Sequence, residues 1–227
     1  MEAEGNQSHW IPLADLMTGL MMVFMLLTAA FMLRVEETTG AVVKNHELTK
    51  QKLQTALGNE FGADLKGWNA EFAGDLTIRF KDPNTLFATG SSDLTGRYKE
   101  QLRDFFPRYL RILNDEEFKD VVKEVRIEGH TSTQWSSAAT VRDAYLKNMQ
   151  LSQERTRSTL EYLLGLQGIT DRTDWVIKRV TANGLSSSRA DPKNQTGAHN
   201  QRVEFRIVTT SDERMSELAR QFSVEAK

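Results

Sequence analysis

Val125–Leu164, VRIEGHTSTQWSSAATVRDAYLKNMQLSQERTRSTLEYLL, is the stretch from which the rest of the chain can be read. Val125 and Ile127 alternate with Arg126 and Glu128, the period of a half-buried strand, and the alternation stops at Gly129-His130. A polar, Ser-rich stretch follows. The chain then resumes with helical spacing: Ala144, Leu151, Leu160, Leu163 and Leu164 fall on one side of Val141–Leu164, with Gly165 near its end. A strand, a polar loop and a long helix make one unit of a mixed α/β core.

Downstream, Val176–Thr181 reads as another strand, and a loop of Ser, Asn, Gly and Pro leads to a last alternating run, Val203, Phe205 and Ile207. The tail SDERMSELARQF reads as a short helix with Ser211 as N-cap and Asp212 and Glu213 in its first turn. Upstream, Thr95–Leu113 carries Tyr98, Leu102, Phe105, Phe106, Tyr109, Leu110 and Leu113 at helical spacing, and Pro107 should kink or break it. Before it, Leu76, Ile78 and Phe80 alternate with Thr77 and Arg79 up to the turn Asp82-Pro83-Asn84. The soluble part is therefore expected to be β-α-β-α-β-β, an α+β sandwich with helices on one face of a mixed sheet.

Residues 34–66 are polar with Val42, Val43, Leu48, Leu53 and Leu57 spaced along them. They read either as a partly helical connector or as a helix that pairs with a second copy of itself. Trp10–Leu33, WIPLADLMTGLMMVFMLLTAAFML, is apolar from Pro12 onward except for Asp15. As a helix those residues span about 33 Å, against a hydrocarbon core of roughly 30 Å, so one transmembrane helix is expected. A carboxylate near the end of such a helix costs at most about 2.5–3.5 kcal/mol on insertion, which marks Asp15 as functional. MEAEGNQSH has two glutamates and no Lys or Arg, the wrong charge for a signal-peptide start, so an uncleaved anchor is expected. Arg34 is the basic residue nearest the span, and charge counting alone would put the C-terminal side in the cytoplasm.

The chain has 227 residues, enough for one span and one soluble domain, and a net charge of −2, which offers no argument for direct nucleic-acid binding. It has no cysteine, which excludes disulfides, thiolate metal sites and cysteine nucleophiles. His9, His46, His130 and His199 are scattered without metal-ligand spacing, and His130 reads as a structural loop residue. No Walker A loop, Gly-x-Ser-x-Gly elbow or paired-carboxylate site stands out, so neither an enzyme nor a cofactor is expected. Asn6-Gln7-Ser8 and Asn194-Gln195-Thr196 match the glycosylation pattern at chance frequency.

Four short elements carry a resemblance. They are Phe87-Ala88-Thr89-Gly90-Ser91-Ser92-Asp93-Leu94, Ile127-Glu128-Gly129-His130-Thr131, Asn148-Met149-Gln150-Leu151-Ser152-Gln153-Glu154-Arg155 and Asn200-Gln201-Arg202-Val203-Glu204-Phe205. In order, spacing and context they resemble the OmpA-like peptidoglycan-binding domain over roughly residues 72–209. The resemblance implies that a loop and a helix N-terminus cradle the carboxylate and amine of the peptide stem's diaminopimelate. Arg155 suits bidentate carboxylate binding, Asn148 offers a donor and an acceptor, and Leu151 would floor the site. Thr131, Ser132 and Arg202 complete the implied peptidoglycan-binding set, although Arg202 reads equally well as a solvated strand-edge arginine. Two departures stand out: Ser132 replaces the family's Asp, which meets the amine, and the stretch after Thr131 is lengthened and carries Trp135.

Trp10–Phe24 resembles the start of MotB-type stator subunits, in which a single Asp opens the membrane helix. The resemblance implies a homodimer inside a ring of multi-helix MotA-like or ZorA-like partners, with Asp15 carrying protons. It also places the N-terminus in the cytoplasm and the C-terminal domain in the periplasm, on peptidoglycan, against the charge count. Within the superfamily, the acidic start, short connector and Trp-bearing insert look more like the ZorB-type subunits of Zorya phage-defence systems. A flagellar stator subunit and a non-motor peptidoglycan tether remain the alternatives, and H⁺ against Na⁺ stays open. The expected division is residues 1–10 cytoplasmic, 11–33 transmembrane, 34–67 connector, 68–210 OmpA-like domain and 211–227 tail.

Overall fold

The computed structural model describes residues 10–81, 83–88, 90–190, 200–210 and 212. The chain divides into two compact units, residues 1–47 and 48–227.

In the first unit, helix α1 (Trp10–Phe61) begins at the apolar run and continues past it. Leu13–Arg34, 22 residues of mean hydropathy 2.2, is the one helix among the described residues long and apolar enough to cross a membrane. Leu16, Met17, Phe24, Leu26, Phe31 and Met32 are all more than 60% exposed, an apolar surface left uncovered among the described residues. Both hydroxyls of the span are satisfied on their own helix: Thr18 Oγ1 donates to Ala14 O and Thr28 Oγ1 to Phe24 O, each at 2.7 Å. That removes the desolvation cost that free hydroxyls would impose in hydrocarbon.

The second unit takes its first buried side chains from the last turns of α1. Leu53, Leu57 and Phe61, spaced by four, are 0–1% exposed, so the core draws on the stretch read as connector. Strands β1 (Ala70–Ala73) and β2 (Thr77–Lys81) form a hairpin, and after the short helix α2 (Pro83–Leu86) comes α3 (Gly96–Leu113). Thr95 caps α3 by accepting the Tyr98 N–H at 3.1 Å. Pro107 lies inside α3 without ending it. An internal proline costs about 3 kcal/mol, which burial of Phe105, Phe106, Tyr109, Leu110 and Leu113 at roughly 1.5–3 kcal/mol each outweighs.

Strand β3 (Val122–His130) leads to α4 (Val141–Leu164), capped by Thr140, which accepts from Asp143 N. A 3₁₀ turn (Gln167–Arg172) and α5 (Thr173–Arg179) precede β4 (Val180–Gly184), and β5 (Arg202–Thr209) closes the sheet. The expected strand at Val176–Thr181 is thus mostly helix. Val176 and Val180, four apart, are the buried pair, while Ile177 is 66% exposed, so the run satisfies a helical rather than an alternating pattern. Ser211 and the tail from Glu213 lie outside the described residues. Asp212 Oδ2 accepts from Thr209 N and Oγ1 at 3.1 and 2.7 Å, and Asp212 Oδ1 accepts from Lys50 Nζ at 3.0 Å.

The sheet order is β1-β2-β5-β3-β4, with β3 and β4 parallel and the other pairs antiparallel, an α+β architecture with a mixed sheet. Val203, Phe205 and Ile207 point into a core where Phe205 meets Phe80 at 5.8 Å and Phe105 at 5.1 Å between ring centroids. Arg202, Glu204 and Arg206 take the other face, in register with Lys81, Arg79 and Thr77 on one side and His130, Glu128 and Arg126 on the other.

Candidate functional site

Two glycines let α4 lie directly on the sheet. A Cβ at Gly129 would stand 2.8 Å from Ser152 O, and one at Gly184 would run into the backbone of Gln153. The contact is knitted by Ser186, whose N–H donates to Ser152 Oγ at 3.1 Å and whose Oγ donates to Tyr145 O at 2.9 Å. Thr131 N donates to Ser186 O at 2.9 Å, which fixes the end of β3 beside α4. This packing holds Asn148 and Arg155, two turns apart on one helix face, against the sheet end.

Arg155 is 6% exposed and has no carboxylate partner among the described residues. Its Nε donates to Ser91 O at 2.9 Å, and its guanidinium carbon lies 4.8 Å from the centre of the Phe87 ring. Neither Nη has a partner among the described residues. Burial alone pushes this arginine down to about 10, the mark of a cation held without an anion. The side chain thus presents its fork, the end suited to a carboxylate.

Arg202 lines the same small cavity, about 10 Å³, together with Leu86, Phe87, Gly129, His130 and Ser152. That volume admits about one water. Unlike Arg155, Arg202 is neutralised: Nε donates to Glu204 Oε1 at 2.6 Å and Nη1 to Asn200 O at 3.2 Å. It is therefore an ion-paired residue rather than the solvated edge arginine that the sequence also allowed.

The other predicted contacts lie elsewhere around α4. Asn148, 3% exposed, donates from Nδ2 to Gln134 O at 3.1 Å, so the insert roofs it. The insert is held by Lys147 Nζ, 3.4 Å from Ser137 O, and by Trp135 Nε1, which donates to Ser137 Oγ at 3.1 Å. Thr131 and Ser132 are buried, the Thr131 hydroxyl without a partner among the described residues, and Leu151 is half-buried. None of these four lines the cavity that Arg155 and Arg202 share. Asp15 lies exposed on α1 in the other unit. Thr89, His9, His199 and Asn194-Gln195-Thr196 lie outside the described residues.

The sequence reading did not find the charge network on the outer face of the sheet. Glu204, 1% exposed, takes Arg79 Nε at 2.9 Å as well as Arg202, and Glu128 takes Arg189 Nη1 at 2.8 Å. His130 Nε2 stands 3.8 Å from Glu128 Oε2 and 3.7 Å from Glu204 Oε2, and neither ring nitrogen has a hydrogen-bond partner among the described residues. Burial first, then the Arg202 charge, pushes His130 down to about 3, so it is neutral at physiological pH. Burial raises Glu204, but the hydrogen bond from Arg202 and the nearby cations hold it below the usual range. Glu128, His130 and Glu204 have the donor set of a metal site. Guanidinium groups already occupy both carboxylates, and Arg206 Nε adds a further positive group 3.6 Å from Glu128, so a cation would meet like charge there. The alternation Glu128/His130 and Arg202/Glu204/Arg206 was visible in the sequence; the pairing of those strands was not.

Residues 86–205 match the OmpA family. The chain is 39% identical to the Zorya protein ZorB of Escherichia coli over 219 residues, 91% of this chain and 90% of that protein. Among solved structures, the cell wall anchor of the T6SS from Pseudomonas aeruginosa is 21% identical, with 67% of this chain and 96% of that one covered at a TM-score of 0.45. The periplasmic domain of Helicobacter pylori MotB is 14% identical, with 69% and 90% covered at a TM-score of 0.42.

Proposed function

Because this chain belongs to the OmpA family and, over 91% of its length, to the family of the Zorya protein ZorB, we propose that it is the wall-anchored subunit of an ion-driven membrane motor. In this reading the C-terminal unit grips peptidoglycan in the periplasm. The span Leu13–Arg34 crosses the inner membrane from a cytoplasmic N-terminus, as part of a homodimer inside a ring of multi-helix partner subunits. Asp15, the one acid of the span, carries the proton, and the complex acts in defence against phage. The chain is an anchor and ion carrier, not an enzyme.

The observation that carries the anchoring half is Arg155: buried, unpaired, braced by Ser91 and Phe87, with its fork free for a carboxylate. In this reading Arg202, which lines the same cavity, and Thr131, Ser132, Asn148 and Leu151, which lie elsewhere around α4, complete the wall-binding set. Arg155→Ala in the full-length, detergent-solubilised chain should lower retention on purified sacculi by about 10–100-fold, the worth of a charge-assisted pair. Retention equal to the parent chain would overturn the anchoring. For the motor half, Asp15→Asn keeps shape and removes the titrating group. It should leave membrane insertion and partner assembly intact while abolishing protection against phage; protection at the parent level would end the ion-carrier reading.

A further inference from the structure

The wall ligand of the preceding reading ends in an amino-acid centre, with an ammonium beside the carboxylate that Arg155 takes. An ammonium brought to a site whose nearest fixed charge is a buried guanidinium needs an anion, because burying it unpaired costs several kcal/mol. Ser132 has no charge to offer. Among the other acids near the site, Glu128 and Glu204 are saturated by Arg189, Arg79 and Arg202. Glu154, next to Arg155 in the chain, is exposed and accepts from Gln150 at 2.8 Å.

Asp93 is different. It belongs to the loop that holds the guanidinium, closed by the bridge between Phe87 and Leu94, with Phe87 against the cation and Ser91 O on its Nε. Ser91 ties the acid to that contact: its Oγ donates to Asp93 Oδ2 at 2.8 Å and accepts from Asp93 N at 2.9 Å. The carboxylate faces solvent and pairs with no Lys or Arg among the described residues. One residue, Ser91, therefore joins an unpaired cation to an unpaired anion.

We propose that Asp93 receives the ligand's ammonium while the Arg155 fork receives the adjacent carboxylate. The site then reads an amino-acid zwitterion rather than a bare carboxylate, and the acid missing at Ser132 is supplied from the opposite loop. The proposal rests on the wall-binding reading and is tested separately from it. Calorimetry on the full-length chain in detergent would compare meso-diaminopimelate with pimelate, which has the same carboxylates and no amines. The parent chain should prefer diaminopimelate by about 10–100-fold, one charge-assisted hydrogen bond. Asp93→Asn, which keeps the Ser91 contact, should erase that preference by weakening diaminopimelate without weakening pimelate. Adding Ser132→Asp to that variant should restore the preference. A preference that survives Asp93→Asn, or an equal loss for both ligands, would overturn the role of Asp93. If the parent chain binds neither ligand and Arg155→Ala holds to sacculi as well as the parent, the wall-binding reading itself falls.

Discussion

Arg155 and Arg202 line one cavity, the first from a helix and the second from a strand, and they differ in a single respect. Arg202 is held by Glu204, which also takes Arg79, on a sheet face where acids and guanidiniums interlock. Arg155 is more isolated than that and has no acid partner among the described residues. A buried pair offsets its desolvation within the fold, whereas a buried lone cation carries that cost unrelieved, the state that an external anion would relieve. The two arginines therefore distinguish the two sides of the cavity: the strand side is ion-paired within the fold, and the helix side presents a cation with no carboxylate partner among the described residues, as the proposed anchoring requires.

The contrast breaks most readily at Glu204. Glu204→Ala leaves Arg79 and Arg202 without the carboxylate that both donate to, and removal of one partner of a buried ionic cluster costs roughly 3–5 kcal/mol. Urea denaturation of the detergent-solubilised chain should show that loss. Destabilisation below about 1 kcal/mol would mean that water already screens the network and that the strand side is not structural in this sense.

How much of this was legible beforehand follows from the range of each interaction. Val125/Ile127, Val203/Phe205/Ile207 and the apolar stripe of Thr95–Leu113 are local patterns, and each became the element it predicted. Ala70–Ala73 carries no alternation, its four residues being all half-buried, so β1 appears only through its pairing with β2. Val176–Thr181 has the β-branched content of a strand, but Val176 and Val180 are buried as neighbours on a turn, a choice made by the packing. Arg155 was legible because a motif surrounds it. Its isolation depends on how α4 packs against the Phe87–Leu94 loop, and the sharing of Glu204 between Arg202 and Arg79 depends on β2 lying beside β5, a register that no local pattern states.

A second test uses pH and addresses the strand side through His130. The folded imidazole is pushed down to about 3 from its ordinary 6.5, so between those values the unfolded chain takes up a proton that the native state refuses. Stability must then fall as pH falls through that window, by about 2 kcal/mol between pH 7 and pH 5. Glu204 and Glu71, both held low, add their own loss of stability only as pH falls through the ordinary carboxylate value of 4.5, so the span from pH 7 to pH 5 is left mainly to histidine. Since both ring nitrogens lack partners, His130→Leu forfeits no hydrogen bond and should remove that slope. The difference between the two pH profiles isolates His130 from the other histidines, and an unchanged slope in the variant would show that its imidazole is solvated.

The smallest expected effect is the one that separates the two sides most directly. Arg155→Met keeps much of the side chain's length and removes the unpaired charge. It loses one hydrogen bond to Ser91 O and the contact over Phe87, and it relieves the cost of holding a buried arginine without an anion among the described residues. These terms nearly cancel, so stability should be unchanged or raised by up to about 1 kcal/mol, while retention on sacculi falls as it does for Arg155→Ala. The same change at Arg202 should destabilise, because it strands Glu204 beside a neutral imidazole with one donor fewer. A melting temperature lowered by Arg155→Met as much as by Arg202→Met would dissolve the distinction, leaving Arg155 a structural arginine and its free fork without a purpose.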